Sequence, residues 1–376
     1  MTQPLDPASL RVWFVHDWLT GMRGGEKVLL ELVRMFPESR IATLVHVAGS
    51  TDPEIDRRVA RTSFLQKMPN IGGTYRNYLP LFPRAIRSME LDGECDLVIS
   101  VSHAVAKGIS IPEGPGGGKP HVCFCNTPMR YIWGMEDQYL PRWSPKRLAL
   151  AAVIPGLRGF DRQNGSVTRF VANSGTVAER IRRIYRREAV VVHPGIDEGY
   201  YTVSGEPRED FYLMVSALVP YKRVDLAVRA FAGTVRKLVI IGGGPEEGKL
   251  RRMAEGSGNI EFMGRQPDDV VLRHYQRCRA FLFPGEEDFG LTPVEAQACG
   301  APVIAYGAGG ATETVVAGRT GVFFAEQTVG ALREAVERFE KSFAATPEAI
   351  RENALRFTWG RFRRGMVEVV RGVVGN

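Results

Sequence analysis

Short apolar runs rich in β-branched residues alternate with amphipathic stretches along this chain, and this alternation constrains the fold more than any other feature. Runs such as 12–15, 97–101 and 237–241 have the length and composition of buried strands, and stretches that carry Arg and Glu separate them. Strands that alternate with helices form parallel sheets covered by helices on both faces. The sequence therefore predicts an α/β protein.

The predicted strands form two series with a polar break between them, and 376 residues are enough for two domains. Residues 203–210 are polar and turn-forming, as linkers are. We predict two Rossmann-like, doubly wound domains, 1–205 and 206–358, and a terminal helical segment, 359–376. If the domains face each other, the carboxyl ends of both sheets surround a central cleft that suits a phosphorylated ligand. The predicted strands are 12–15, 97–101, 122–124, 170–172, 190–192, 211–215, 237–241, 260–262, 280–283 and 302–305.

The charge balance favours an anionic partner without identifying it. The chain has 49 Lys and Arg residues against 42 Asp and Glu, a formal net charge of +7. A nucleotide, a membrane surface and a nucleic acid all fit that charge, but no nucleic-acid-binding motif is present. The five cysteines contain no Cys-x-x-Cys pair, and residues 1–10 lack the features of a signal peptide. We therefore expect a reduced, cytoplasmic protein without a zinc site.

The segment from Glu286 to Glu295 combines acidic residues with a turn and a helix start. Thr292, Pro293 and Glu295 match a capping box with proline in the first turn, so Glu295 can be a capping residue only. Alternatively, the helix N-terminus faces a ligand, with Glu295 on ribose hydroxyls and Glu287 beside a reacting sugar. Main-chain N–H groups of the turn can then bind hydroxyls or anionic oxygens; the turn residues are Asp288, Phe289, Gly290 and Leu291.

Residues 287–305 read Glu-Asp-Phe-Gly-Leu-Thr-Pro-Val-Glu-Ala-Gln-Ala-Cys-Gly-Ala-Pro-Val-Ile-Ala, and with 309–315 they resemble the signature of the retaining family-4 glycosyltransferases. The resemblance covers nearly the whole chain and implies the GT-B fold. Residues 24–27 resemble the N-terminal glycine loop of the family, 218–225 its phosphate-binding lysine segment, and 242–245 and 262–265 further landmarks. Segments 102–108 and 126–131 look most like those of bacterial mannosyltransferases of surface-polysaccharide assembly.

The resemblance implies roles for the matching residues. Glu287 would lie by the donor sugar and the departing phosphate, Lys222 would neutralise the diphosphate, and Glu295 would hold the ribose. Attack would occur on the front face, with the donor's own phosphate oxygen taking the acceptor proton, without a metal or a further cofactor. Segment 359–376 would cross back to the first domain. The remaining donor-side candidates are Arg223, Gly264 and Arg265, and the acceptor-side candidates are Asn126 and Arg130. Gly24 and Gly25 either lie near a phosphate or the acceptor or form a simple turn. His103 either lies near a sugar or has a structural role.

Three positions depart from the family pattern. Ala217 stands where relatives carry a phosphate-binding arginine, Asn126 replaces a histidine, and Gly175 replaces an arginine. A lost charge-assisted hydrogen bond costs about 1.5–3 kcal/mol. Either Arg223 compensates, or the chain is a weak or non-catalytic pseudo-transferase that binds sugar nucleotide or scaffolds polysaccharide assembly.

Two stretches, 75–87 and 142–147, combine basic and aromatic residues. Each is either a solvent-exposed basic face or a surface that contacts anionic lipid headgroups. We expect a cytoplasmic transferase, peripheral at the inner face of the membrane. It would move a hexose, in particular mannose from GDP-mannose, onto a glycan or lipid-linked acceptor such as those of lipopolysaccharide assembly, and it would not bind nucleic acid.

Overall fold

The structure is a computed structural model that describes residues 6–111, 113–114, 117–134, 145–163 and 166–375. It divides into two compact units: the chain up to His193 together with the part from Phe362 onward, and Pro194–Arg361. The division comes earlier than the predicted boundary at 205/206 because the intervening segment packs on the second unit. Ile196 N donates to Phe357 O at 3.0 Å, and Ile196 forms a bridge with Thr358.

The first unit is built on a seven-stranded parallel sheet. Its strands are β1 Val12–His16, β2 Ser39–Thr43, β3 Val59–Thr62, β4 Leu97–Ser102, β7 His121–Cys125, β8 Arg169–Ala172 and β9 Ala189–Val191, with a hairpin of β5 Glu113–Gly114 and β6 Gly117–Gly118. The order across the sheet is β3-β2-β1-β4-β7-β8-β9. Every residue of β1, β4 and β7 is buried, as expected of strands covered on both faces. The helices are Gly24–Met35, Pro53–Asp56, Ile71–Thr74, Phe82–Arg87, Pro145–Arg162, Gly175–Tyr185 and Trp359–Val374, the last shared with the second unit.

The second unit is built on a six-stranded parallel sheet. Its strands are β10 Phe211–Val215, β11 Lys237–Ile241, β12 Ile260–Gly264, β13 Ala280–Phe283, β14 Val303–Tyr306 and β15 Gly321–Phe324, in the order β12-β11-β10-β13-β14-β15. Its helices are Val224–Phe231, Glu247–Met253, Asp268–Arg277, Leu291–Ala298, Ala311–Thr314, Val329–Ser342 and Pro347–Ala354. The prediction of an α/β fold with two Rossmann-like units is therefore confirmed.

Each sheet reverses its strand order at one point. In the first unit β1 pairs with both β2 and β4, and in the second unit β10 pairs with both β11 and β13. Ligands of doubly wound sheets bind outside the carboxyl ends of the strands at such a switch point. The loops after β1 and β4, and those after β10 and β13, are therefore the first places to look for a site.

Two general expectations concern the cysteines and the membrane. All five cysteines are buried and free, as expected of a reduced protein. Within the described part of the chain, no helix is both long enough and apolar enough to cross a membrane.

Candidate active site

Lys222 and Glu287 meet at the switch point of the second sheet. Lys222 ends the 3-10 helix Pro220–Lys222 that follows β10, and Glu287 lies in the loop that follows β13. The Lys222 Nζ and the Glu287 Oε2 form an ion pair, and each side chain is 16% exposed. Because β10 and β13 are adjacent, their loops bring together two residues that are far apart in sequence. The pair places a cation and an anion where a ligand can reach both.

Glycines hold the Glu287 loop in place by letting main chains approach closely. Gly310 N donates to Glu287 O at 2.8 Å. A Cβ on Gly310 would lie 2.3 Å from the Phe289 Cα, and one on Gly285 would lie 2.7 Å from the Tyr221 O. Any side chain at these positions would push the loop away, so the geometry of the ion pair depends on both glycines.

The helix Leu291–Ala298 begins at this loop, after Gly290, whose φ of 83° favours glycine. The capping-box interpretation is wrong: no side chain caps this helix, and Thr292 lies inside it. The Glu295 carboxylate turns instead into the unit, where Tyr275 OH donates to Oε2 at 3.1 Å. The first amides of the helix therefore remain directed out of its N-terminus.

Two tyrosines that the sequence analysis missed lie near Glu295. Tyr275 is fully buried and donates to the carboxylate, and the Tyr201 ring packs edge-to-face on Tyr275 with centroids 6.2 Å apart. Burial first, and then the charge of Glu295, raise the pKa of both phenols well above their usual range, so both stay protonated. No local pattern marks these tyrosines, because they come from separate elements.

The other predicted donor-side residues differ in burial and in which of their atoms a ligand can reach. Phe289 is buried, with its ring edge-to-face on Phe357 at 5.5 Å, so only its main chain can meet a ligand. Asp288 is also buried, whereas Leu291 is half-buried. Gly264 ends β12 with a φ of 69°. A Cβ on Gly243 would lie 3.5 Å from the Arg265 side chain, which places Arg265 beside the loop after β11.

Arg223 is held by neighbours of its own. Its Nε donates to Asp225 Oδ1 at 3.2 Å and its Nη1 to Gln327 Oε1 at 3.0 Å. Ala217 is exposed at the start of the same loop. In this conformation the Arg223 side chain is therefore engaged by Asp225 and Gln327 of its own unit.

We therefore expect Arg223→Ala to weaken nucleoside diphosphate binding less than about threefold, below the effect of one charge-assisted hydrogen bond. Isothermal titration calorimetry with GDP and UDP checks this. Weakening of tenfold or more would show that Arg223 turns toward the ligand on binding.

In the first unit, the carboxylate of Asp17 joins the loops after β1 and β4. Asp17 is fully buried and accepts four main-chain N–H groups, from His103 at 2.7 Å, Ala104 at 2.9 Å, Val105 at 2.6 Å and Ala106 at 2.8 Å. It also lies 3.2 Å from the His103 Nδ1. Burial lowers the pKa of His103, so the ring is neutral, donates a hydrogen bond from its Nδ1–H to Asp17 and keeps Nε2 as an acceptor.

Gly25 lies next to Asn126 and His16. The helix Gly24–Met35 starts at the glycine pair itself. A Cβ on Gly25 would stand 3.4 Å from the Asn126 Nδ2 and 3.7 Å from the His16 Nε2. Burial lowers the pKa of His16 to about 4, so this ring is neutral as well. The glycine loop, the end of β1 and the residue after β7 therefore meet at one place.

Arg130 and Gly175 follow two adjacent strands of the same unit, β7 and β8. Arg130 begins the 3-10 helix Arg130–Ile132, and Gly175 is the first residue of the helix Gly175–Tyr185. The cap of that helix is Ser174, whose Oγ accepts from Val177 N at 3.2 Å.

Glu26, next to Gly25, titrates near neutrality. Burial raises the pKa of this carboxyl to about 7, while Arg23 opposes the shift. The folded protein thus binds this proton more tightly than the unfolded chain, and Glu26 makes the free energy of unfolding fall as pH rises from about 4.5 to about 7. We expect the parent to lose about 2 kcal/mol relative to Glu26→Gln across that range.

Urea unfolding of both proteins at several pH values checks this. The comparison with Glu26→Gln is needed because His16, whose pKa is lowered, makes stability change with pH in the opposite direction. A difference between the two proteins that stays constant with pH would contradict the expectation.

Two remaining predictions concern metals and the basic stretches. Over the described ranges, no group of three or more His, Cys, Asp or Glu could hold a metal ion. In the stretch 75–87, Arg76, Arg84 and Arg87 are exposed. Arg142 and Trp143 lie outside the described residues, as do the side chains of Lys146 and Arg147.

Comparison with solved structures shows the class of fold. HepE of Anabaena, solved in complex with UDP, superposes with a TM-score of 0.67 at 17% identity, over 96% of this chain and 100% of that one. Sucrose-phosphate synthase from Thermosynechococcus elongatus gives a TM-score of 0.68 at 16% identity, over 97% and 99%. The fold is therefore GT-B, as predicted.

The sequence comparisons give the family. The family described as Glycosyltransferase Family 4 matches residues 22–200, and that described as Glycosyl transferases group 1 matches residues 202–357. The chain belongs to the family-4 glycosyltransferases.

Two relatives carry the name D-inositol 3-phosphate glycosyltransferase. The one from Mycolicibacterium smegmatis is 29% identical over 57% of this chain and 56% of its own length. That of Actinosynnema mirum is 30% identical over 57% and 61%. The chain thus matches little more than half the length of these curated relatives.

Proposed function

We propose that this chain is a retaining hexosyltransferase that uses a nucleoside diphosphate sugar as donor. The observation that carries the proposal is the Lys222–Glu287 ion pair at the switch point of the second sheet. A fixed ammonium stabilises the negative charge that grows on a departing diphosphate, and that charge is largest in the transition state. The N-terminus of the helix Leu291–Ala298 opens beside the same loop and favours anionic oxygens.

Glu295 is the proposed ribose ligand. An ionised carboxylate accepts hydrogen bonds only, so it suits the hydroxyls of a ribose. Gly264 and Arg265 lie at the end of β12 and are proposed to border the nucleotide. Together with Lys222, these residues orient the donor along the carboxyl edge of the second sheet.

In the proposed reaction the acceptor hydroxyl attacks the anomeric carbon on the face that the diphosphate leaves. The bond from the anomeric carbon to the diphosphate oxygen breaks with its electron pair, and the bond to the acceptor oxygen forms. The acceptor proton passes to the departing diphosphate oxygen. Lys222 holds that diphosphate, Glu287 lies beside the sugar, and His103, Asn126 and Arg130 bind on the acceptor side.

The proposed donor is GDP-mannose and the proposed acceptor a glycan or lipid-linked oligosaccharide of surface-polysaccharide assembly. The segments 102–108 and 126–131, which resemble those of bacterial mannosyltransferases, support this choice. The exposed arginines Arg76, Arg84 and Arg87 support peripheral contact with an anionic membrane on the cytoplasmic side, since each basic residue near such a surface contributes about 1 kcal/mol.

Thermal unfolding with a panel of ligands tests the donor class. The panel is GDP, UDP, ADP and TDP with their sugar conjugates, including the UDP-glucose that HepE of Anabaena binds, and NAD is the control. A ligand that binds the folded state raises the unfolding temperature by mass action. We expect GDP-mannose to stabilise the protein most. Stabilisation by none of the panel would overturn the proposal.

A second candidate function is a non-catalytic pseudo-transferase, which Ala217 and the internally engaged Arg223 favour. Restoring the cation separates the two. Ala217→Arg adds a guanidinium at an exposed position of the loop that carries Lys222, and we expect it to tighten nucleoside diphosphate binding at least about tenfold. Calorimetry with GDP measures this, and an unchanged affinity would show that position 217 does not face the phosphates.

A further inference from the structure

Two buried nitrogen atoms of the first unit, the His16 Nε2 and the Asn126 Nδ2, have no hydrogen-bond partner among the described residues. His16 is the last residue of β1 and is fully buried, and Asn126 directly follows β7. Buried polar atoms of folded proteins nearly always have a partner, because leaving one unpaired costs stability. Each of these nitrogens is therefore a candidate contact for a ligand.

Both nitrogens face Gly25, the second residue of the helix Gly24–Met35. A Cβ on Gly25 would lie 3.4 Å from the Asn126 Nδ2 and 3.7 Å from the His16 Nε2, which are ordinary van der Waals distances. The φ of Gly25 is outside the left-handed region, so the backbone does not require a glycine here. The chain thus lacks a side chain at a point where alanine would fit and where two unpaired atoms meet.

The two nitrogens have opposite hydrogen-bonding roles. The His16 Nδ1 lies 3.0 Å from the Trp18 O, which only accepts, so Nδ1 carries the proton of the neutral ring. Burial lowers the pKa of His16 to about 4, so Nε2 remains an acceptor at neutral pH. The Asn126 Nδ2 is a donor. A hydroxyl group satisfies both nitrogens, whereas the Nε2 lone pair would repel a phosphate oxygen.

The main chain of Asn126 fixes the amide beside Gly25. The Asn126 N donates to the O of Ser102, the last residue of β4, at 2.8 Å. The Asn126 O accepts from the Nδ2 of Asn173, directly after β8, at 2.9 Å. The ends of three neighbouring strands therefore hold this residue before a ligand arrives, as a preorganised site requires.

We propose that His16 and Asn126 form a binding site for one sugar hydroxyl over Gly25, in which the hydroxyl donates to the His16 Nε2 and accepts from the Asn126 Nδ2. The inference rests on the proposed function and deepens it, because it takes the ligand to be a sugar of that reaction. The hydroxyl belongs either to the hexose of the donor or to the acceptor. The experiment below separates these two sources.

Gly25→Ala fills the site and keeps both nitrogens, and Asn126→Leu removes the donor at nearly constant side-chain volume. The matched control is Gly330→Ala, because Gly330 is also the second residue of a helix, Val329–Ser342, and a Cβ there would have no atom within 4 Å. Calorimetry measures the dissociation constants of GDP and GDP-mannose, with UDP and UDP-glucose as a second pair. Steady-state kinetics measure kcat for the release of hexose to water, and unfolding temperatures accompany both.

We expect Gly25→Ala and Asn126→Leu to unfold at or above the temperature of the parent, because alanine suits a helix better than glycine and leucine removes an unpaired buried donor. If the hydroxyl belongs to the donor, Gly25→Ala weakens GDP-mannose at least about tenfold, Asn126→Leu weakens it about fivefold, and GDP changes less than twofold. If it belongs to the acceptor, whose place water takes in hydrolysis, both affinities persist and kcat falls by the same factors. Gly330→Ala leaves every value unchanged.

Three results would overturn the inference. Affinities and kcat of Gly25→Ala equal to those of the parent would show that the two nitrogens bind water only, and the proposed function would stand. Equal weakening of GDP and GDP-mannose would place a phosphate at this position instead of a hydroxyl. Loss of activity together with a clearly lower unfolding temperature would show that Gly25 is structural. A parent that binds none of the four nucleotides, or releases no hexose, fails the proposed function itself, and the inference with it.

Discussion

Lys222→Ala lowers kcat/KM for the sugar nucleotide about 10²–10³-fold, the effect of removing a donor that stabilises developing negative charge. Glu287→Gln acts differently on binding, although the two residues form one ion pair. Removing the carboxylate lessens repulsion of the diphosphate, so the free nucleoside diphosphate binds equally well or up to about fivefold tighter, while turnover falls. Calorimetry with GDP and steady-state kinetics measure the two effects.

Lys237→Ala is the matched control for Lys222→Ala. Lys237 also pairs with a carboxylate of the second unit, Glu261 at 3.1 Å, but the pair is half exposed and lies at the start of β11, away from the carboxyl edge of the sheet. This variant should leave affinity and turnover unchanged. If Lys222→Ala and Glu287→Gln weakened nucleoside diphosphate binding to the same extent, the ion pair would be structural and the proposed role of the pair would be wrong.

Asp17→Asn destabilises the first unit by about 2–4 kcal/mol. The carboxylate accepts two main-chain N–H groups on each oxygen, and the amide nitrogen of asparagine would face two of them with a donor instead of an acceptor. Buried amides left without acceptors cost about 1–3 kcal/mol each, partly relieved by small shifts. Urea unfolding measures the loss, and faster hydrogen exchange at 103–106 locates it.

Asp96→Asn is the control for Asp17→Asn, because Asp96 joins the other ends of the same two strands. It accepts from Arg11 N at 2.9 Å just before β1 and β4 begin, but it is partly exposed. Exposed pairs contribute about 0–1 kcal/mol, so this substitution should have a small effect. Equal losses for both variants would contradict the view that Asp17 is the main connection between the two loops.

The fold followed from the sequence where strands are uninterrupted apolar runs. The strands at 211–215, 237–241 and 280–283 have the predicted bounds. Five of the described strands were missed: β2 mixes Ser, Arg and Thr with apolar residues, β3 is a half-exposed edge strand, β5 and β6 have two residues each, and β15 is an edge strand that begins at a glycine. A short or polar strand is specified by pairing with its neighbours, and that information is not local.

The site was predictable to the extent that motifs follow strands. The family resemblance pointed to Lys222 and Glu287, whose segments follow β10 and β13, and the sheet order explains why they meet. The tyrosines around Glu295 gave no signal, since Tyr275 in an amphipathic helix has the pattern of a core residue. Asp17 did give a signal in the sequence, because an aspartate directly after a buried strand needs hydrogen-bond donors from the neighbouring loop.

The most direct test of the central claim is the anomer of the hexose that the parent releases to water from GDP-mannose, followed by time-resolved proton NMR. Water serves as acceptor, so no acceptor need be known. The account predicts GDP and α-mannose as first products, with the reaction lost in Lys222→Ala and retained in Lys237→Ala. Release of β-mannose first, equal release by Lys222→Ala, or no release by the parent would contradict it.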